Sequence, residues 1–562
     1  MSIKTRLLSL AFLALHASFI VSEARAQDSV AMTFRNMGFV KRGDPWLTSL
    51  NAAALTRLNA GNVAEAELSL TKQKGGHADF DQSPDALVVE ADVESFVRLN
   101  ASTVVYGSMS YNNFAGDEMG GSAFTPLTSL RSPLTTHRPF DLVEDSLNTA
   151  GHKHRDVYQL TGGVGSSLCR QLAIGARLDY TAANYAKYKD LRHKNKLMDM
   201  QFTAGVYLPL ASWFSMGLDY RYHRTTESLQ FSTYGSTDRN YQTLVAYGAF
   251  MGHVEQFGSN GYTDRSHEMP LVSDANGVGV QISIQSSAVQ FYNAFTYSYL
   301  KGYYGRRSPY TVTYTDHHSR AYHYDARLSW QSAPAGQEAE SRQWSRLALD
   351  FSLNAENLEN LAATYRELAS DAGAAYYEYY SPVKTANKLW VDGAVALTAD
   401  LGIRGEQPLW TLTAGFAWQH RHHTAYLYPS YRRQRFTIRE WNVSLCRQLM
   451  TRKGIWSLQA DAAFREGSGQ PAEDLTFQDS RTSELQDSRT PELLNNAYLW
   501  REYQWLAAPQ YMVGGSVKYA FILSRLQTYI KGSLHHRKAN QTYPYSNGKD
   551  RTEAVLAIGC TF

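Results

Sequence analysis

The chain has almost no cysteine. Among 562 residues there are three, Cys169, Cys446 and Cys560. An odd number so widely spaced excludes a disulfide framework, and no CxxC or Cys/His spacing suggests zinc. Charge of one sign is lacking too. The 55 basic and 52 acidic residues leave a net +3, which excludes an electrostatic nucleic-acid binder, so no nucleic-acid partner is expected. Beyond residue 26 no apolar run approaches the roughly 20 residues of a spanning helix. The GxSxG, HExxH and P-loop spacings are missing as well. No catalytic, cofactor or metal residue is therefore assigned, and neither a cofactor nor an enzyme activity is expected.

What is present begins with an export signal. Lys4 and Arg6 precede an apolar run from Leu7 to Val21, followed by Ala24-Arg25-Ala26. This is the pattern of a secretory signal peptide over 1–26, cleaved between Ala26 and Gln27. The run is too short for a stable membrane helix, and no Cys follows it to carry a lipid.

The recurring signal is alternation over stretches of about 10–13 residues, the period of a strand. In 172–180, Leu172, Ile174, Ala176, Leu178 and Tyr180 share one face. Ala173, Gly175, Arg177 and Asp179 share the other. An apolar face against a small or charged face suits lipid outside and a wet lumen inside. The template predicts a transmembrane antiparallel β-barrel of about 18 strands over 62–562. The spans are 62–72, 88–99, 102–112, 156–166, 171–181, 197–208, 213–224, 277–286 and 288–299. They continue with 320–330, 343–354, 388–400, 409–420, 433–446, 454–465, 510–520, 524–535 and 550–562. Every Pro beyond the signal lies outside them, as a closed ladder requires. Short connections alternate with long ones at 113–155, 225–276, 300–319, 355–387 and 466–509. That rhythm implies short periplasmic turns, long extracellular loops and both termini in the periplasm.

Two regions resist the template. In 225–276, Leu229–Tyr234 and Leu244–Met251 read as a further hairpin, either above the membrane or raising the count to about 20. In 433–446, Arg439 shares a face with Trp441 and Val443, which suggests a bulge. The loop at 478–493 holds two near-identical octapeptides beginning Gln478 and Gln486, a duplication suited to an exposed segment.

About 18 strands enclose a lumen too wide for wall side chains to fill. Residues 27–61 form either a periplasmic lead-in or a plug-like segment. They carry Trp46 and the run Asn51-Ala52-Ala53-Ala54-Leu55. That run resembles the NPAGL element of hydrophobic-solute outer-membrane transporters, without its Pro; the resemblance implies entry into the barrel. At the other end, Ile558, Cys560 and Phe562 close an alternating strand. This terminus resembles the signal read by the barrel assembly machinery, which with outer-membrane lipid is an expected partner. The aromatic excess, 37 Tyr among 13% aromatics, fits interfacial girdles, and Trp213, Trp330, Trp410 and Trp456 fall near strand ends.

Histidines gather at outer loops and strand ends: His152 and His154; His317, His318 and His323; His420, His422 and His423; His535 and His536. Such a rim suits capture of metal or haem, or is simply solvated. The acidic Asp117, Glu118, Asp141, Glu144 and Asp145 would suit calcium but lack a loop spacing. Asp219, Arg221 and His223 share one strand face, as do His323, Asp325 and Arg327; mutual pairing or solute selection in a wet lumen is expected.

The stretches His137-Arg138-Pro139-Phe140-Asp141-Leu142-Val143-Glu144-Asp145-Ser146 and Tyr158-Gln159-Leu160-Thr161-Gly162-Gly163 resemble an uncharacterised outer-membrane barrel group, domain-of-unknown-function family 6850. So do Asp179-Tyr180-Thr181-Ala182-Ala183 and Lys189-Asp190-Leu191-Arg192-His193-Lys194-Asn195, where Leu191 and His193 depart from a DPRPxN pattern. The resemblance implies a barrel often encoded beside TonB-dependent receptors, with no functional residues to carry over. A channel or transporter for a small solute across the outer membrane is the first expectation. The alternative is an accessory or surface-binding barrel in a receptor or secretion complex, with a TonB-dependent receptor as partner.

Overall fold

The computed structural model describes residues 34–126, 137–144, 149–236, 238–259, 261–263, 269–308, 311–332, 344–369, 375–477, 496–524 and 526–562. The cleavage site at Ala26–Gln27 and the octapeptides at 478–493 lie outside them.

The strands are β1 (Val63–Lys74), β2 (Asp85–Arg98), β3 (Thr103–Met119), β4 (Asp141–Glu144), β5 (Gly151–Cys169) and β6 (Leu172–Lys187). Next come β7 (Arg192–Ala211), β8 (Phe214–Ser232), β9 (Tyr241–Gly248), β10 (Met251–Phe257), β11 (Leu271–Gln285) and β12 (Val289–Ser308). They are followed by β13 (Thr311–Gln331), β14 (Trp344–Ala362), β15 (Tyr365–Ala369), β16 (Ala375–Tyr379), β17 (Val383–Ile403) and β18 (Trp410–Leu427). The last are β19 (Ser430–Thr451), β20 (Gly454–Thr476), β21 (Gln510–Leu523), β22 (Leu526–Ala539) and β23 (Asp550–Thr561). All but β4, β9, β10, β15 and β16 form one 18-stranded antiparallel sheet. Each barrel strand pairs with the next in the chain, and β23 pairs with β1, so no edge is left. Closure is what the missing water of a bilayer demands of backbone groups.

All 18 expected spans fall on the barrel strands. The observed strands run longer at the long-loop end. The supposed loop 300–319 is largely the continuation of β12 and β13. The longer strands also take in two prolines. Pro209 sits next to a register shift at the end of β7, just before the closing pair Ala211↔Phe214. Pro471 lies where β20 has two residues opposite one of β19, between the pairs Arg433↔Glu473 and Arg435↔Gln470. Such a bulge needs no donor from the inserted residue. The bulge expected within 433–446 at Arg439 is not there, since Arg439 pairs in register with Trp418 and Glu466; this one carries its extra residue in β20, opposite the start of that span.

The faces sort as expected. Ile174, Leu178, Leu556 and Ile558 are exposed on the outer surface, while Ala173 and Ala557 are buried. Trp213, Trp330 and Trp456 are exposed near the short turns, with Trp410 in line. A second outward aromatic stands eight residues up three of these strands: Tyr322 from Trp330, Trp418 from Trp410, Phe464 from Trp456. At about 3.3 Å per residue and a tilt near 40°, eight residues span about 20 Å of membrane normal, the scale of an apolar band between girdles.

The expected hairpin arms are placed differently: Leu229–Ser232 is the outer end of β8, paired with β7, and Leu244–Met251 covers most of β9 and the turn that follows. The hairpin actually formed, β9–β10, adds no strand to the barrel. With β4 it makes a separate three-stranded sheet. It packs against the inner faces of β17 and β18. The expectation of about 20 strands is thereby set aside. Among the described residues the α-helices are α1 (Met37–Gly43) and α2 (Asn496–Ala507).

Candidate functional site

The lumen is filled by the chain itself, from both ends. At the short-turn end the filling is 34–58. Asn36 caps α1 by accepting from the Phe39 amide at 2.9 Å, which satisfies an orphan donor of the first turn. Asp44 then breaks the helix. Its carboxylate accepts from the Trp46 amide at 3.1 Å and pairs with Arg57 at 2.7 Å. The result is a compact knot that spans the lumen. Arg35 holds Glu406 at 3.0 Å, and Lys41 holds Glu94 at 2.7 Å on a different part of the wall. Trp46 is fully buried between Tyr207 and Tyr292, edge-on at 5.0 and 5.1 Å.

The Asn51–Leu55 run is the footing of this inner plug. The Asn51 amide nitrogen donates to the carbonyls of Val206 and Leu218 and to Gln281 Oε1 at 2.9, 3.3 and 3.0 Å. Ala52 and Ala53 lie on a row of glycines. Gly165 pairs with Gly175, and Gly175 with Gly205, across three successive strands. A Cβ at Gly165 would overlap the Ala52 carbonyl, one at Gly175 the Ala53 amide, and one at Gly205 the Asn51 side chain. Backbone can lie this close only where no side chain stands. Sequence reading put Gly175 on the inner face; the cross-strand row needed the register.

At the long-loop end the filling is β4, the hairpin β9–β10, the loop 75–84 and α2. Its core joins Phe124, Phe140, Leu142, Val245 and Tyr247 to the wall residues Leu191, Leu229 and Tyr304. A buried ion cluster anchors it. The Glu144 carboxylate, on β4, meets Lys153 at 2.9 Å and also Lys187, all fully buried. The Lys153 ammonium also donates to the Gly120 and Ser122 carbonyls at 2.9 and 2.8 Å. Asp141, on the same strand, faces Arg138 and Ser122; burial still lifts its carboxyl to about 6. Asn195 donates to Glu227 at 2.6 Å, and Glu227 accepts from the Thr125 amide at 2.8 Å. The turn between β9 and β10 holds Ala249 at φ 48° and Phe250 at φ 53°. Side chains in this left-handed region cost about 1–2 kcal/mol each; both residues are buried, and Arg432 donates to the Ala249 carbonyl at 3.1 Å.

Between the plugs the inner wall is polar and internally paired. Arg177 meets Asp179 at 2.8 Å, Arg221 meets Asp219 at 2.5 Å, and His223 meets Asp199 at 2.7 Å. His323 meets Asp325 at 2.7 Å, and Arg327 turns to Asp350. The expected charged ladders thus pair, partly across strands. A cavity of ≈320 Å³ above the inner plug is lined by Lys41, Leu50, Glu94, Tyr106, Arg177 and Asp199 among others.

The rim histidines go separate ways. His152 faces Asp117, His154 faces Asp156, His318 faces Glu359 and His535 faces Asp461. His317 bonds Ser273, His420 bonds Thr437 and His536 bonds Thr552. The acidic candidates also disperse, Asp117 to His152 and Glu144 into its lysine cluster. Among the described residues no three His, Cys, Asp or Glu converge as a metal set. Ile558 and Phe562 are outward and exposed on β23 and at its end. Cys560, a free thiol, is half-buried on the same face.

Fold and filling define the class: a transmembrane β-barrel whose lumen is occupied by its own chain. The chain belongs to DUF6850, a family of unknown function whose model matches residues 52–562. No protein with a curated description matches it. Among solved structures it is similar to BauA, the ferric preacinetobactin receptor of Acinetobacter baumannii, at 9% identity and a TM-score of 0.41, over 90% of this chain and 80% of that one. The outer membrane transporter YddB of Escherichia coli is similar at 8% and 0.38, over 90% and 81%. A Pseudomonas aeruginosa FadL homologue is similar at 11% and 0.28, over 95% of each chain.

Proposed function

We propose that this protein is a gated carrier of a small solute across the bacterial outer membrane. The observation that supports this most is the lumen. A wall this wide could be left open or filled permanently. Here it is lined by paired charges and obstructed at each end by segments held through non-covalent contacts. Segments of that kind can move, and a paired, wet wall offers a solute hydrogen bonds in passing. Residues 27–61 act as the inner plug in this reading, after cleavage at Ala26–Gln27. The alternating terminus Ile558, Cys560 and Phe562 serves recognition by the barrel assembly machinery, and the outward belt faces outer-membrane lipid. The test is conductance in planar bilayers. The full chain should be nearly closed and a variant lacking 34–58 markedly leakier. Equal, negligible conductance of both would sink the reading.

A second reading is favoured by the hairpin β15–β16. Its Tyr365, Tyr376 and Tyr379, with neighbouring Tyr380, are exposed beyond the barrel. Exposed tyrosines suit a protein interface, which fits an accessory of a TonB-dependent receptor. Co-purification from native membranes, lost on deleting 365–379, tests it.

A further inference from the structure

A second cavity, of ≈220 Å³, lies between the tip of β9–β10 and the inner wall of β17, β18 and β19. Its lining is of two kinds. Phe80, Phe140, Tyr247, Phe250 and Trp390 are aromatic; Lys388, Arg421, His423 and Gln434 are polar. It lies beyond Trp418, three to five residues further along β18, so it is inside the wall but clear of the apolar belt.

Lys388 donates to the Pro139 carbonyl, but the other three polar groups keep unspent atoms. Gln434 is 1% exposed, yet neither its Oε1 nor its Nε2 has a partner. His423 is 5% exposed and its Nε2 is bare. Arg421 spends Nη1 on Glu502 at 2.8 Å but leaves Nε without an acceptor. A buried group without a partner costs the full loss of its water, and native interiors leave few. Three on one cavity wall mark a place where something else completes the bonds. Around them Arg138, Lys388 and Arg421 outnumber Asp141 and Glu502. The aromatic side is held in place: His137 stacks on Trp390 at 3.9 Å and 10° and meets Glu356 at 2.9 Å, and His423 stands edge-on to Trp390 at 4.5 Å. The strained turn at Ala249–Phe250 presses its Phe against this same space, and strain of that kind gathers at functional sites.

We infer that this cavity binds a small organic acid with a planar apolar body. The carboxylate meets Arg421 Nε and His423 Nε2. The Gln434 amide, with donor and acceptor both free, takes a hydroxyl or second carboxylate oxygen. The planar body lies among Trp390, Phe140 and Phe250. As the entry site of a transported solute this rests on the carrier reading; as a binding site it does not.

The test uses the purified full chain in detergent, titrated by calorimetry with 4-hydroxybenzoate, its neutral amide 4-hydroxybenzamide, and acetate. Saturable binding of the first is expected, weaker by about tenfold or more for the other two, since the charged hydrogen bonds and the apolar contacts each matter. Gln434→Ala and His423→Ala should each lose about tenfold in affinity. Gln434→Glu, close in shape but anionic, should lose more. Heat-modifiable migration on gels checks that each variant is folded. No saturable binding by the folded protein, equal binding of acid and amide, or folded variants that bind like the parent would overturn the site. Binding lost with solute flux into liposomes intact overturns the site and leaves the carrier reading standing. Binding intact with no flux of any solute supports the site and sinks the carrier.

Discussion

The carbonyl of Ala52 occupies the space a side chain at Gly165 would need. The inner plug is thus seated on the wall by an absence. Gly165→Leu should unseat residues 51–55 while leaving the β5 ladder intact, because the outer face of that strand is unchanged. The expected result is a leak in planar bilayers with normal heat-modifiable migration. Trp46→Ala acts on the same plug from the other side and should weaken its docking by about 3–5 kcal/mol, the usual loss for a buried aromatic. If both variants stay as closed as the parent, the segment is not the seal.

Glu144 is the only carboxylate in direct contact with two buried lysines among the described residues. Glu144→Gln leaves Lys153 and Lys187 buried without a counter-charge, a loss of about 3–5 kcal/mol. The outer plug should loosen, seen as faster proteolysis at 241–257 in an otherwise protease-resistant barrel. Adding Lys153→Met and Lys187→Met should restore much of the resistance, since removing all three charges removes the imbalance.

How much of this was legible beforehand follows from where the solvent changes. Every barrel strand could be read because lipid on one face forces alternation, as in Leu172–Tyr180. Above Tyr322, the run Tyr314–Ser319 is still strand, but polar residues stand on both faces, Thr315 and His317 inward, Asp316 and His318 outward. The alternation stops there and the run reads as loop. Tyr241–Gly248 fails for the opposite reason. Thr243, Leu244, Val245, Ala246 and Tyr247 are all buried, so no polar face marks the strand. The Asn51–Leu55 run was legible as a motif; its glycine seat and the Glu144 cluster were not, because each is assembled from separate strands. The pocket residue His423 reads in the sequence only as one of a rim, since Gln434 and Trp390 carry no local signature.

Asp141 ties the outer plug to pH. Burial raises its carboxyl above the unfolded value, to about 6, so docking of β4 takes up a proton. That contribution is complete below about pH 4, the ordinary Asp range, and is lost as pH rises through about 6. Asp79, in the adjoining loop, is raised in the same sense by burial and by nearby Asp81. A spin label at position 254, with the native cysteines replaced by serine, should be less mobile at pH 4.5 than at pH 7.5. Asp141→Asn should shrink that difference; an unchanged pH response would count against Asp141.

In the proposed reading Phe562 serves assembly rather than conduction. Phe562→Ala should lower the amount of folded barrel in the outer membrane while the assembled remainder behaves normally. Leu556→Asp, at an outward position 60% exposed, should be more damaging, though by less than the about 2–4 kcal/mol that a basic residue costs at mid-bilayer. Asp at the inward Ala557 should be tolerated better than at Leu556; the reverse order would invert the assigned faces.

The eight-residue step between the two aromatic girdles has a consequence for the choice of lipid. A rigid barrel cannot shorten or tilt as a helix does, so the bilayer must yield to it. Two rings of aromatics about 20 Å apart call for thin hydrocarbon, as in a bacterial outer membrane. Vesicles of short-chain lipids should take up this protein readily. Long, straight acyl chains should slow its insertion and distort the strands that carry the girdles.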